Sequence, residues 1–360
     1  MTSRYQRQII LPGFGEITQQ KLAGSRILVI GAGGLGCPVL QSLTVAGIGC
    51  LGIVDFDTVS LTNLHRQVLF SEADNGRKKV KAAKEKLMLL NSELMCNIYD
   101  FAIEAANAFE LIQNYDIVVD CTDVLETKYL VNDVCALLKK PLVYASIYQF
   151  EGQVSVFHYE KETRNLRDLF AEIPRHKSVV NCGESGVLGV LTGIIGNFQA
   201  NEVIKTIMES GEILSGKILI YNSLNNEFQT LSFPARPGIF RARDSQEIFR
   251  KNYGLNCGNI EQIDSLESLK KVLENPQSVI VDVRNEDETP KVRDFRVKEI
   301  PLQNLERNLN ELEQNEHLIF LCQSGIRSIQ AIEMLRSKTS GKKLYNIRKG
   351  ISLFQNEQRD

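Results

Sequence analysis

Residues 26–36 read R-I-L-V-I-G-A-G-G-L-G, an apolar segment follows from Pro38 to Ala46, and the chain rises again as L-G-I-V-D-F-D from Leu51 to Asp57. The pattern is strand, glycine turn, helix, strand. Gly31 lets the chain turn sharply, Gly33 lets the backbone approach a phosphate, and Gly36 lets the helix pack on the sheet. Pro38 suits the first helical turn, where its missing N–H is no loss. Such a helix aims its N-terminal amides at an anion. Asp55 closes the second strand, where a carboxylate accepts hydrogen bonds from a ribose. Taken alone, the turn admits NAD, FAD or ATP.

The rest of the chain sets bounds. At 360 residues it is long enough for two domains. Hydrophobic residues make up 43% and charged residues 24%, an ordinary globular mixture. A net charge of −2 gives no basic footprint for nucleic acid. No apolar run is long enough for a membrane span, and Met1 to Ile10 carries no apolar signal region, so a cytoplasmic protein is expected. The eight cysteines form no C-x-x-C pair, which points to a reduced compartment and offers no zinc-ligand spacing.

Outward from the glycine turn, Val80, Ala83, Leu87 and Leu90 fall at helical spacing, leaving Lys78, Lys81 and Lys84 on a solvated face. D-I-V-V-D (Asp116 to Asp120) reads as a buried parallel strand ending in C-T-D, where ligands collect in open α/β sheets. Glu151 to Tyr159 alternates and reads as an antiparallel strand; residues 163–180 read as loop. Ser185 to Met208 reads as a long apolar helix whose small residues permit close packing, and Gly216 to Phe233 as a hairpin. The fold class is therefore α/β, a Rossmann-like domain with a mixed sheet over residues 1–234. A linker is expected at 235–255 and a small α/β domain at 256–360, with a helix over Leu305 to Gln314.

The segment V-S-L-T-N-L-H-R-Q after Asp57 is no part of a dinucleotide fingerprint. Asn63 and Arg66, one loop beyond the ribose carboxylate, suit triphosphate recognition better than a nicotinamide ring. With these motifs, R-Y-Q-R-Q-I-I, D-C-T-D, Y-Q-F-E-G-Q-V and the 185–208 helix, residues 4 to about 233 resemble the MoeB/ThiF adenylyltransferases, relatives of ubiquitin-activating enzymes. The resemblance implies ATP and Mg²⁺. Gly31, Gly33, Gly34 and Gly36 would line the nucleotide loop and Asp55 would hold the ribose. Asp57, Asn63, Arg66, Gln67 and Lys79 would surround the phosphates, and Asp123 would coordinate Mg²⁺. Arg7 would serve the site of a partner subunit, implying a homodimer. The implied substrate is a small β-grasp sulfur carrier ending in Gly-Gly. Cationic groups matter in such a reaction because carboxylate and α-phosphate repel one another.

Many relatives hold zinc with two C-x-x-C pairs. Here Asn165, Asp168, Ile239 and Ala242 stand at those places, and no zinc is expected. Cys182, before the long helix, falls where the family can form a covalent link to the carrier carboxyl, whereas Cys37 and Cys121 read as structural. The C-terminal part resembles a rhodanese through D-V-R-N (Asp282 to Asn285) and the six-residue loop C-Q-S-G-I-R (Cys322 to Arg327). Such a loop wraps N–H groups around a sulfur and Arg327 adds charge, so Cys322 is expected to carry a persulfide. A cysteine desulfurase or another sulfur donor would load it. Two rival readings remain at this point, a nicotinamide oxidoreductase and an adenylyltransferase whose rhodanese-like part only docks.

Overall fold

The structure, a computed structural model, describes residues 3–354 apart from 160–163, 172–185, 252, 254–260, 286, 294, 306, 324, 337–340 and 349. The chain divides into two units, Met1–Tyr253 and Gly254–Asp360.

In the first unit eight strands form one sheet: β1 (Arg26–Ile30), β2 (Cys50–Val54), β3 (Met95–Tyr99), β4 (Ile117–Asp120), β5 (Leu142–Tyr148), β6 (Glu151–Phe157), β7 (Lys217–Asn222) and β8 (Glu227–Ser232), in the order β3-β2-β1-β4-β5-β6-β7-β8. Pairings from β3 to β5 are parallel and those from β5 to β8 antiparallel, the mixed sheet expected from the sequence. The chain order reverses between β1 and β4, which opens a crevice at their carboxyl ends. Alternation along β1 feeds two cores: Ile27 and Val29 join one cluster, Leu28 and Ile30 the other.

One face is covered by α3 (Gly36–Ala46), α4 (Lys79–Leu90) and α8 (Gly189–Met208), the other by α5 (Ala105–Ile112) and α6 (Leu125–Leu138). Before β1 come α1 (Gln6–Ile9) and α2 (Gly15–Gly24), and α7 (Leu166–Leu169) is a single turn. The small residues of α8 do serve close packing: a Cβ on Gly196 would stand 2.5 Å from Pro38 Cγ on α3. Within the segment expected as a linker, α9 (Ser245–Arg250) forms, and Ile248 and Tyr253 are buried in the first unit.

Where the resemblance puts zinc cysteines, hydrogen bonds tie the chain instead. The Asn165 side chain caps α7, accepting from the Arg167 N–H at 2.7 Å. Asp168 accepts from the Asn165 N–H at 2.8 Å and, through its other oxygen, from the Arg236 N–H at 2.8 Å. Ile239 and Ala242 bring no ligand atoms, and Asn165 and Asp168 are already engaged, so this donor set does not fit tetrahedral zinc. Beside it, Arg167 grips both oxygens of Asp133 on α6 (2.8 and 2.7 Å), and the Tyr253 hydroxyl donates to Asp133 at 2.8 Å. The ion pair is almost wholly buried, 3% and 2% exposed. Asp133→Ala would strand the guanidinium, so it is expected to cost about 3 kcal/mol. A urea midpoint, followed by far-UV circular dichroism, should fall accordingly; a loss below about 1 kcal/mol would show the cluster to be dispensable.

The second unit holds a parallel five-stranded sheet in the order β11-β10-β12-β13-β9. Its strands are β9 (Glu261–Ile263), β10 (Ser278–Asp282), β11 (Val297–Glu299), β12 (His317–Leu321) and β13 (Lys343–Ile347), with helices α10 (Leu266–Leu273) and α11 (Ile326–Arg336). The helix expected over Leu305 to Gln314 is not formed; 3-10 turns stand at Leu302–Asn304 and Leu309–Leu312. Leu305 and Leu312 are buried as helical spacing implies, but asparagines divert the backbone. The Asn308 side chain donates to the Asn304 carbonyl at 3.1 Å, a local bond that competes with a helix.

Candidate active sites

The first site begins at Gly31. Its φ of +97° is a conformation that L side chains resist, and a Cβ there would lie 2.8 Å from the Cys121 carbonyl oxygen. Gly36 is tighter, since its Cβ would meet the Gly31 carbonyl oxygen at 2.0 Å. Gly34 backs onto Thr192 of α8, and Gly33 faces the Gln67 side chain. The glycine turn is thus wedged between the end of β4 and the start of α3.

Asp55, just beyond β2, binds the turn to its strand. Its Oδ2 accepts from the Ala32 N–H and its Oδ1 from the Asp57 N–H, both at 2.8 Å. Burial pushes the Asp55 carboxyl up, against the pull of Lys79 and these two N–H groups. Lys79 opens α4 and is only 4% exposed. Its Nζ lies 3.0 Å from Asp57 Oδ2, and its N–H donates to the Asp57 carbonyl at 3.1 Å. A buried ammonium held by one half-exposed carboxylate is a cation ready for anionic oxygens.

Asn63 and Arg66 meet directly: Nη2 of Arg66 donates to Asn63 Oδ1 at 3.0 Å. Thr192 donates to the Arg66 carbonyl at 3.3 Å, fixing this loop to α8. Gln67 is buried beside Gly33, and its Oε1 has no hydrogen-bond partner among the described residues. The Gln67 atom that faces Gly33 is Nε2, a donor suited to phosphate oxygens at that glycine backbone. Asp123 is exposed just past β4. A single accessible carboxylate suits Mg²⁺, which takes one or two protein carboxylates together with phosphate oxygens and water.

Sequence reasoning missed the support under Asp123. Asp120 Oδ1 accepts from the Thr122 N–H (3.0 Å) and hydroxyl (2.7 Å), shaping the C-T-D turn. Its Oδ2 pairs with Lys128 Nζ at 3.0 Å, both side chains being buried. Lys128 also donates to the Ala145 carbonyl, and Gln199 to the Asp120 carbonyl, each at 2.8 Å. A lysine flanked by Tyr129 and Leu130 on an apolar helix face was the available signal.

Arg7 is not brought to the site of its own chain. It is exposed on α1, and that helix is anchored at the far end of α3, where Gln8 donates to the Ala46 carbonyl at 3.1 Å. The glycine turn lies at the opposite end, about 15 Å away along α3. Cys37 and Cys121 are buried, burial pushing the Cys37 thiol up to about 12 and that of Cys121 well above its ordinary value, as structural thiols require. Cys182 lies outside the described residues.

The second site sits at the carboxyl ends of β10 and β12. Cys322 follows β12 and is fully buried, with its Sγ accepting from the Gly325 N–H at 3.0 Å. Gly325 has a φ of +89°, which bends the loop back towards the sulfur. Ser328 Oγ stands 3.4 Å from Sγ and donates to Asn346 Oδ1 at 2.6 Å, while Asn346 donates to Gln262 at 2.8 Å. This side-chain chain from Cys322 to β9 was not read from the sequence. Arg327 forms a two-pronged pair with Glu288, at 2.6 and 2.7 Å. In D-V-R-N, Asp282 and Arg284 pair with each other, buried, and Arg284 also donates to the Pro290 carbonyl at 2.9 Å. Their role is to hold the loop after β10.

Known proteins share both halves. The ThiF family profile matches residues 5–238, and the rhodanese-like domain profile matches residues 265–357. The Caenorhabditis briggsae protein named adenylyltransferase and sulfurtransferase MOCS3 is 36% identical, over 93% of this chain and 89% of its own length. A Mycobacterium tuberculosis protein named probable adenylyltransferase/sulfurtransferase MoeZ is 35% identical over 93% of this chain and 88% of its length. Among solved structures, Escherichia coli MccB superposes with a TM-score of 0.60 at 22% identity, covering 67% of this chain and 74% of that one, a likeness of fold. A nicotinamide oxidoreductase is not favoured by these matches, nor by the cationic surroundings of the glycine turn. The chain belongs to the ThiF family and carries a C-terminal rhodanese-like domain.

Proposed function

We propose that this chain activates the C-terminal glycine of a small sulfur-carrier protein with ATP and passes sulfur to it from a persulfide. The observation that carries this reading is the presence, in one chain, of a glycine turn flanked by buried Lys79 and of a cysteine held by a backbone N–H at the head of a helix. The family match and the relatives' paired names support the same two activities. The carrier carboxylate attacks the α-phosphorus of ATP, the bond to the bridging oxygen breaks, and pyrophosphate leaves. Lys79 and Arg66 lower the cost of bringing anions together and of the charge that departs. Asp55 orients the nucleotide through the turn it anchors. Mg²⁺, bound at Asp123, would supply further charge to the phosphates. The outer sulfur of the Cys322 persulfide then displaces AMP from the activated carboxyl to give an acyl disulfide. A second thiol attacks the Cys322 sulfur, the S–S bond breaks with its electron pair leaving on the thiocarboxylate, and the resulting disulfide is reduced by an external thiol.

Arg7, exposed and remote from its own glycine turn, serves a partner's site in a homodimer. Cys182 takes part covalently in the transfer. A cysteine desulfurase or similar protein donates the sulfur, and the reaction takes place in the cytoplasm. No helix among the described residues is long and apolar enough to cross a membrane. The two activities divide between the first unit, against which residues of the expected linker pack, and the second.

The test is pyrophosphate–ATP exchange with and without a carrier ending in Gly-Gly. Exchange should depend on the carrier and fall about 10- to 100-fold in Asp123→Ala, because an exposed metal ligand is partly replaced by water. Exchange that ignores the carrier, or survives the substitution undiminished, would defeat the adenylation reading.

A further inference from the structure

We propose that Glu288 makes the Cys322 site selective for persulfides borne on a thiol, against small oxoanionic sulfur donors such as thiosulfate. The inference rests on the sulfurtransferase reading of the second unit. Of the cysteine loop, Arg327 is the group whose planar fork would hold an oxoanion by two oxygens. That fork is taken: Nη1 binds Oε1 of Glu288 at 2.6 Å and Nη2 binds Oε2 at 2.7 Å. Glu288 is itself fixed. The Asn285 N–H donates to Oε1 at 2.9 Å, and the Glu288 N–H donates to the Asn285 carbonyl at 3.1 Å. The hydrogen bond from Arg327 also holds this carboxyl below its usual range, so it stays charged at neutral pH.

The pair contributes no net charge. The other arginine here, Arg284, is neutralised by Asp282; its Nη1 has no partner among the described residues, but the side chain is buried. Next to Asn285 lies a recess of about 370 Å³ whose lining among the described residues, Asn285, Pro301, Gln303 and Asn304, is uncharged. A recess of that size takes an amino-acid side chain or a short peptide segment. A thiosulfate dianion would have to displace one carboxylate and meet its repulsion. A persulfide R–S–S⁻ on an organic or peptide carrier brings its sulfur without needing the arginine.

In either case the Cys322 thiolate attacks the sulfane sulfur and forms a new S–S bond. The old bond breaks and its electron pair leaves with R–S⁻, or with sulfite when thiosulfate is the donor. No external oxidant or reductant is required.

The experiment uses the full chain and follows persulfide on the Cys322 peptide by mass spectrometry, with thiosulfate and glutathione persulfide as donors. The wild type should load more efficiently from glutathione persulfide. Glu288→Gln should raise the ratio of thiosulfate to persulfide loading efficiency about tenfold, mainly through KM for thiosulfate, since one repelling charge is removed. Glu288→Asp, which keeps the charge, should hold the ratio near the wild-type value. A ratio unmoved in Glu288→Gln would overturn the proposal, and so would a wild type that takes sulfur equally well from both donors, a result that needs no variant to fold. Absence of loading at Cys322 from either donor would instead bring down the sulfurtransferase reading beneath it.

Discussion

Cys322→Ala is expected to abolish sulfur transfer to cyanide, by at least about a thousandfold, while carrier-dependent pyrophosphate exchange continues at the wild-type rate. The loss should be complete because no other described cysteine can stand in. Cys37, Cys50, Cys96, Cys121 and Cys135 are all buried. Burial pushes each of these thiols up, that of Cys96 to about 11 and that of Cys37 to about 12. Cys322 is buried too, but it alone among them lies on a strand-to-helix loop with an N–H aimed at its sulfur. Exchange should persist because Asp55, Arg66, Lys79 and Asp123 all belong to the first unit. Residual transfer above background would move the persulfide to another cysteine. A parallel fall in exchange would mean that adenylation also draws on Cys322.

Legibility in the sequence followed the range of the interactions. The glycine turn, Asp55 and the Cys322 to Arg327 loop could be read because the residues that make them stand within one turn or one β-α unit. The supports could not. Asp133 meets Arg167 and Tyr253 across long stretches of chain, and Asn346 meets Gln262 on the neighbouring strand, which is distant in sequence. Arg327 and Glu288 likewise come from different loops, so the charge expected of Arg327 is cancelled by a residue its motif does not contain. Where local pattern misled, a competing local force explains it. Leu305, Leu309 and Leu312 have helical spacing, yet the asparagines among them favour side-chain bonds to backbone over a continuous helix. Lys79 shows the opposite case. By charge it belongs with Lys78, Lys81 and Lys84 on a wet face, and only the family motif singled it out; the structure buries it against Asp57.

Lys79→Met should therefore separate catalysis from stability. The methionine retains an unbranched stem of similar length, so packing at the start of α4 is largely kept. What disappears is a buried positive charge whose one acceptor among the described residues is Asp57. Asp57 is 53% exposed and can be solvated once its partner is gone, and Asp55, which loses the pull of Lys79, keeps the N–H groups of Ala32 and Asp57. The denaturation midpoint should thus change little. Exchange should fall by about 10²–10³, the usual effect of deleting one preorganised group that stabilises charge in the transition state. ATP affinity should fall less than the rate, because the negative charge to be met is greatest as pyrophosphate departs. Exchange within threefold of wild type would reduce Lys79 to a structural partner of Asp57. A large drop in the denaturation midpoint would point the same way, since the ammonium would then be holding the Asp57 loop rather than waiting for phosphate.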